Sequence, residues 1–261
     1  MDANVTGKSA ANDRSYYFTR RERQPHQNSI DLFIFNKIYT MYLPKISTLI
    51  GILFSISCLA QDGNTITPDL TDLVKNKKIT AFNRGVSILN DAQNKNGIHM
   101  DEKEGNGVAW LNGIQFSNGT IELDIKGRNV LQRSFVGFAF HGLNDSTMDA
   151  VYFRPFNFQL YNVQRKNHSV QYISLPVYDW QKLRTEFPNK YEHFIDPSPQ
   201  PDSWFHVRIE IKTQQIKVYV NNNSNPSLVV DQITNRKDGM VGFWVGNNSD
   251  GDFANLKIVK E

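Results

Sequence analysis

Thr120-Ile121-Glu122-Leu123-Asp124-Ile125-Lys126 alternates polar and apolar residues at every step. Successive side chains of an extended chain point to opposite faces, so Ile121, Leu123 and Ile125 share one face while Glu122, Asp124 and Lys126 share the other. The segment reads as a strand with one side in a core and the other in water. The alternation returns at Phe205, Val207, Ile209 and Ile211, at Ile216, Val218 and Val220, and at Val241, Phe243 and Val245. Between these runs lie clusters of Asn, Gly and Pro. Asn221-Asn222-Asn223-Ser224-Asn225-Pro226 is a turn by composition, because Asn tolerates left-handed backbone and Pro stops a strand.

Two more strands are predicted at Phe135 to His141 and Ala150 to Arg154, separated by Gly142-Leu143-Asn144-Asp145-Ser146. Helical spacing is confined to Asp69 to Lys78 and Asp179 to Glu186. Many short strands, few helices and no repeated period predict an all-β fold, a jelly-roll β-sandwich of two antiparallel sheets. Such sandwiches tend to offer the outer face of one curved sheet to a ligand.

Outward from this domain the chain changes character. Met41 to Gln61 (MYLPKISTLIGILFSISCLAQ) has one lysine, an apolar run from Ile46 to Ala60 and then polar sequence, the pattern of an export signal cleaved after Ala60. The run is short for a membrane span, which needs about 20 apolar residues. The expected organisation is a leader over 1–40, read as upstream sequence or as a cytoplasmic tail, then a signal peptide over 41–60. An N-terminal linker over 61–79 and a jelly-roll domain over 80–261 follow. The mature protein is expected to be secreted or periplasmic, without a stable membrane span. The single cysteine, Cys58, lies inside the signal, so the domain is held by its core and not by disulfides. Cys58 also leaves open a lipid-anchored form. The net charge of +3 is too small to suggest a nucleic-acid partner.

Alternation also sorts candidate site residues. If Val151 and Phe153 face the core, Tyr152 and Arg154 face away. The same logic turns His206 and Arg208 outward on one strand, Trp244 outward on another between Gly242 and Gly246, and Gln171 outward opposite Val170 and Tyr172. Aromatic faces stack on the apolar side of a sugar ring, and Arg, Gln and His donate forked hydrogen bonds to hydroxyls or carboxylates, so this set suits a carbohydrate or polysaccharide. The irregular stretch 157–203, with Trp180 and Arg184 in Val177 to Glu186, is expected to wall one side of the site. A polar solvent face with local ion pairs accounts for each of these residues taken singly.

Catalysis has fewer candidates. Glu122 and Asp124 share a face, but an acidic solvent face is ordinary for a strand. His141, His206, Glu186 and Glu192 are the other candidate acids and bases. Asp250 and Asp252, in Asn247-Asn248-Ser249-Asp250-Gly251-Asp252, offer oxygen ligands to Ca²⁺, although a tight turn explains the same composition.

Gly239-Met240-Val241-Gly242-Phe243-Trp244-Val245-Gly246 followed by Asp252-Phe253-Ala254-Asn255-Leu256-Lys257-Ile258 resembles the closing strands of concanavalin A-like lectin/glucanase (laminin-G-like) domains. The strands at Gly119 to Asp124 and Trp204 to Ile209 look like their earlier counterparts, and the resemblance covers roughly 80–261, closest to secreted bacterial 3-keto-disaccharide-hydrolase-like domains. It implies the sandwich fold but leaves function open among lectins, glycosidases, lyases and adhesion modules. The laminarinase type of this superfamily carries Glu-x-Asp-x-Glu, whereas here Lys126 follows Glu122-x-Asp124. That departure favours a carbohydrate-recognition domain over a glycoside hydrolase or polysaccharide lyase, and both classes stay in view.

Overall fold

The computed structural model describes residues 64–89 and 96–261. The leader over 1–40, the signal over 41–60 and Cys58 lie outside the described residues.

Two antiparallel sheets pack face to face. One contains β1 (Thr65–Ile66), β3 (Val86–Ile88), β4 (Gly97–Lys103), β6 (Gly119–Lys126), β11 (Phe205–Lys212), β12 (Gln215–Val220), β13 (Leu228–Asp231) and β15 (Ser249–Lys260), in the order β13-β12-β11-β6-β15-β4-β3 with β1 added beside β15. The other contains β2 (Ile79–Phe82), β5 (Gly107–Phe116), β7 (Val136–Asn144), β8 (Thr147–Phe153), β9 (Val170–Leu175), β10 (Glu192–His193) and β14 (Gly239–Val245), in the order β10-β9-β8-β7-β14-β5-β2. The architecture is the predicted all-β jelly-roll sandwich.

Alternation builds the core. Ile121, Leu123 and Ile125 on β6 are fully buried, and their neighbours in register on β11 are Ile209, Val207 and Phe205. The facing sheet contributes Phe138, Phe153 and Phe243, whose rings interlock across the gap: Phe153 meets Phe205 at 5.2 Å and Phe243 meets Phe253 at 4.9 Å. Each such side chain contributes about 1.5–3 kcal/mol of transfer free energy on burial.

The segment expected as a linker is part of this fold from residue 64 onward. Thr65 and Ile66 pair with Val259 and Ile258, and Leu70, at the start of α1 (Leu70–Lys75), is fully buried. Asp69 caps α1 by accepting from the Asp72 amide at 2.9 Å. A strand of two residues followed by one short turn of helix carries too little periodicity to separate from a linker by composition.

A buried polar cluster centres on Asp149. Asp149 accepts from Tyr172 Oη at 3.0 Å, from Arg236 Nη2 at 2.7 Å and from Gln232 Nε2 at 3.0 Å, and its carboxylate is fully shielded from solvent. Burial alone would raise this carboxyl, but bonds from His141, Ser174 and Arg236 hold it below the usual range. The cluster ties the connection between β13 and β14 to β8 and β9.

Candidate functional site

The outer face of the seven-stranded sheet carries one continuous row of paired residues. Trp244 on β14 lies opposite Gly137 on β7, Gly137 opposite Tyr152 on β8, Tyr152 opposite Gln171 on β9, and Gln171 opposite Glu192 on β10. Gly137 matters because it has no side chain. A Cβ there would stand 2.7 Å from the Tyr152 Cβ and 2.2 Å from the Val151 carbonyl oxygen, so its absence lets the rings on either side meet. Trp244 and Tyr152 accordingly touch, centroids 5.0 Å apart.

Arg154 follows β8 on the same face. Its guanidinium donates to Tyr152 Oη, to Gln171 Oε1 and to the His168 carbonyl, and it lies over the Tyr152 ring at 4.7 Å. Tyr152 Oη in turn donates to Gln171 Oε1 at 2.8 Å. Burial pushes the Tyr152 phenol up and the Arg154 guanidinium down from their ordinary values, yet an arginine stays charged at any working pH.

The stretch 157–203 supplies the facing wall. α3 (Trp180–Glu186) starts where Asp179 accepts from the Lys182 amide at 2.8 Å, and it docks through Leu183, only 1% exposed. Leu183 turns Trp180 and Arg184 toward the hollow. Arg184 lies over the Trp180 ring at 5.2 Å and forks onto Glu192, with Nε and Nη2 at 2.8 and 2.7 Å from the two carboxylate oxygens. α2 (Val163–Lys166), capped by Asn162, adds Gln164 and Arg165. His168, just beyond it, has Nδ1 2.9 Å from Glu192 Oε2, off the line of a good hydrogen bond. Desolvation, the larger effect, moves the His168 imidazole down, so it is neutral near pH 7.

Between the row and this wall lies a hollow of about 600 Å³. Tyr152, Arg154 and Trp244 from the strands and Trp180 and Arg184 from the stretch 157–203 all line it. Gln171 does not reach it. That side chain is fully buried beneath Tyr152 and Arg154 and holds both in place.

Trp244 is only 4% exposed, so its flanking glycines do not leave it bare. A Cβ at Gly242 would meet the Ala109 carbonyl oxygen at 2.4 Å and one at Gly246 would meet Phe135 at 2.7 Å; these glycines allow close packing.

His206 and Arg208 belong elsewhere. Both face outward, but from β11 in the eight-stranded sheet, on the far side of the sandwich. There His206 contacts Asp124 at 2.9 Å and Glu122 at 3.6 Å, while Arg208 lies 3.7 Å over Tyr219 and pairs with Glu210. Alternation tells inside from outside but not which sheet a strand joins. The same placement puts the Glu122 and Asp124 carboxylates on that far face, the first bonded to Lys257 and the second to Asn255.

Alternation after Phe138 and Phe140 would turn His141 outward, but the structure buries it. The strand pairing shifts between Phe140 and Asn144, His141 takes a φ of 50°, and its ring turns into the buried cluster beside Asp149 and the Ser117 carbonyl. Of the other acid and base candidates, Glu186 is exposed and paired with Lys182, and Glu192 is buried with both oxygens held by Arg184. Asp250 pairs with Arg128 at 2.6 Å and Asp252 with His99 at 2.7 Å, and no cluster of three or more His, Cys, Asp or Glu able to hold an ion occurs among the described residues.

Sequence reasoning missed Arg165, His168 and Phe135 on the lining. Arg165 and His168 lay in the segment read as a wall, but their orientation depends on α2, a helix too short to leave a periodic signal.

No protein-family model matches the sequence, and no curated protein sequence matches it. Solved structures do. Carbohydrate-binding module CBM66 from Bacillus subtilis superposes with a TM-score of 0.50 at 14% identity, covering 69% of this chain and 95% of the module. A Bacillus subtilis protein of unknown function with a galectin-like fold superposes with a TM-score of 0.50 at 13% identity, covering 75% and 96%. A Bacillus licheniformis β-glucanase follows at a TM-score of 0.45 and 11% identity, covering 77% and 100%. The chain has a concanavalin A-like lectin/glucanase fold. Within that concanavalin A-like frame the hollow lies on the outer face of the seven-stranded sheet, walled by the stretch 157–203.

Proposed function

We propose that this domain is an exported carbohydrate-recognition module that binds a glycan in the hollow over the seven-stranded sheet. The observation that carries the reading is the cross-strand row itself. It sets two aromatic rings and an immobilised guanidinium side by side, with a second indole and guanidinium facing them from α3. The exposed Trp180 ring can cover the apolar side of a sugar ring, the nearly buried Tyr152 and Trp244 rings form the floor beneath, and fixed N–H groups orient the hydroxyls. Because Arg154 is held by three acceptors before any ligand arrives, little ordering cost remains on binding. The likeness in fold to a carbohydrate-binding module supports the same reading. The apolar run over 46–60 supports export.

Hydrolysis of a glycosidic bond uses two carboxyl groups about 5–9.5 Å apart across the bond. The described residues lining the hollow include no aspartate or glutamate, and Glu192 behind them is engaged by Arg184. Binding without turnover is therefore favoured. A glycan array probed with the full chain, followed by product analysis on every hit, tests this. Binding with intact ligand supports the module, whereas new reducing ends or unsaturated sugars would replace it with an enzyme.

A further inference from the structure

The hollow is one of two compartments on the same face. A second cavity, of about 480 Å³, adjoins it. Asn106 and Trp244 line both, so Trp244 stands at their common wall. The two differ in charge. Arg154, Arg165 and Arg184 line the first, with no carboxylate among the described residues on its surface. Asp145 and Asp179 line the second, with no lysine or arginine among the described residues.

The balance behind the first compartment is also positive. Among the described residues Glu192 is its one buried counter-charge, shared between Arg184, at 2.7 Å, and Arg154, at 3.7 Å. Arg165 is exposed and makes no ion pair among the described residues. Three guanidinium groups therefore face one carboxylate, and that carboxylate lies on the protein side. In the second compartment Asp145 accepts from the Trp110 indole N–H at 2.8 Å and Asp179 caps α3, and both stay exposed, leaving acceptor oxygens toward the groove.

Resting on the glycan reading above, we infer that the ligand is a saccharide of at least two rings carrying an anionic group, a carboxylate or a sulfate ester, on one ring only of each neighbouring pair. The charged ring occupies the arginine compartment and the neutral ring crosses Trp244 to present hydroxyl or amide N–H groups to Asp145 and Asp179. A chain with a charge on every ring places an anion against those carboxylates, and a neutral chain leaves the guanidinium surplus uncompensated. Both are disfavoured.

The test is calorimetric titration of the full chain with four oligosaccharides of equal length: an alternating uronate and N-acetylhexosamine chain, a homo-uronate, a neutral chain sulfated on alternate rings, and a neutral chain. The alternating uronate, the alternating sulfate or both are expected to bind at least about tenfold more tightly than the neutral chain and the homo-uronate, with affinity falling as salt rises. Whichever alternating chain binds identifies the anion. R165Q, a surface change outside every buried contact, is expected to weaken that ligand about three- to tenfold and to leave the unfolding midpoint unchanged. A neutral chain that binds as tightly as the charged ones, or affinity indifferent to salt and to R165Q, overturns the inference while keeping the glycan reading. A homo-uronate that binds as tightly as the alternating chain overturns the assignment of the second compartment. Failure of all four, together with an empty glycan array, overturns both readings.

Discussion

Trp244 and Tyr152 meet at 5.0 Å although β7 runs between their strands. The contact passes over Gly137, where a Cβ would clash with the Val151 carbonyl oxygen and with the Cα and Cβ of Tyr152. The aromatic floor of the hollow thus depends on one residue having no Cβ. G137A is expected to cost about 1–3 kcal/mol of stability by overpacking. It should also weaken glycan binding, since Tyr152 positions Arg154. Urea unfolding and a binding titration on the same preparation check this, and unchanged values in both would show that the rings do not rely on the gap.

Trp180 offers the complementary experiment. It is 47% exposed and reaches the hollow from α3, whereas Trp244 is nearly buried. W180A should leave stability within about 0.5 kcal/mol and weaken ligand binding by about 1–2 kcal/mol. W244A should instead lower stability by about 3–5 kcal/mol, as large aromatic truncations in cores do. Equal effects of the two substitutions on unfolding would contradict the assigned roles.

Glu192 is the counter-charge that allows two arginines to gather under the hollow. Removing it strands buried positive charge, and E192A is expected to destabilise by about 3–5 kcal/mol. E192Q, which retains shape and acceptor capacity, should cost less. A thermal melt series across wild type, E192Q and E192A should rank them in that order.

Two ionisable clusters set opposite pH limits. The His206 imidazole is raised above 6.5, chiefly by its bond to Asp124 and further by Glu122. Its contribution to stability is full below pH 6.5 and fades as pH rises through the folded-state value. Because the site is half open to water, the effect should stay under about 1 kcal/mol. H206Q should therefore lie below wild type at acid pH and converge with it at alkaline pH.

Asp149 works in the other direction. Its depressed carboxyl gives stability that is present above 3.8 and is lost as pH falls through the lower folded-state value. D149A should cost about 3–5 kcal/mol near neutrality, because Arg236 then keeps a buried charge without its partner. Acid unfolding profiles of wild type and variant should converge at low pH.

Strand positions were legible because burial imposes a period of two wherever one face of a strand is dry. The segments 120–126 and 205–211 obey it, whereas 241–245 is buried on both faces, and each is a strand in the structure. The rule fails at His141, where a shift in pairing rotates the side chain into the interior. It is silent on 64–79, whose strand of two residues is fixed by pairing with β15 and not by its own pattern.

The amino-acid order by itself determined that this chain makes a β-sandwich and that Tyr152, Arg154 and Trp244 point away from its core. Local sterics and hydrophobic burial act along a single strand, so one strand's residues suffice to reveal them. Only the tertiary structure decided that Tyr152, Arg154 and Trp244 share a sheet while His206 and Arg208 occupy the other. It alone brought Arg165, Arg184 and Trp180 over the same hollow. Sheet membership and the docking of short helices are set by pairings between residues far apart in the chain, and those are satisfied only when the whole domain closes.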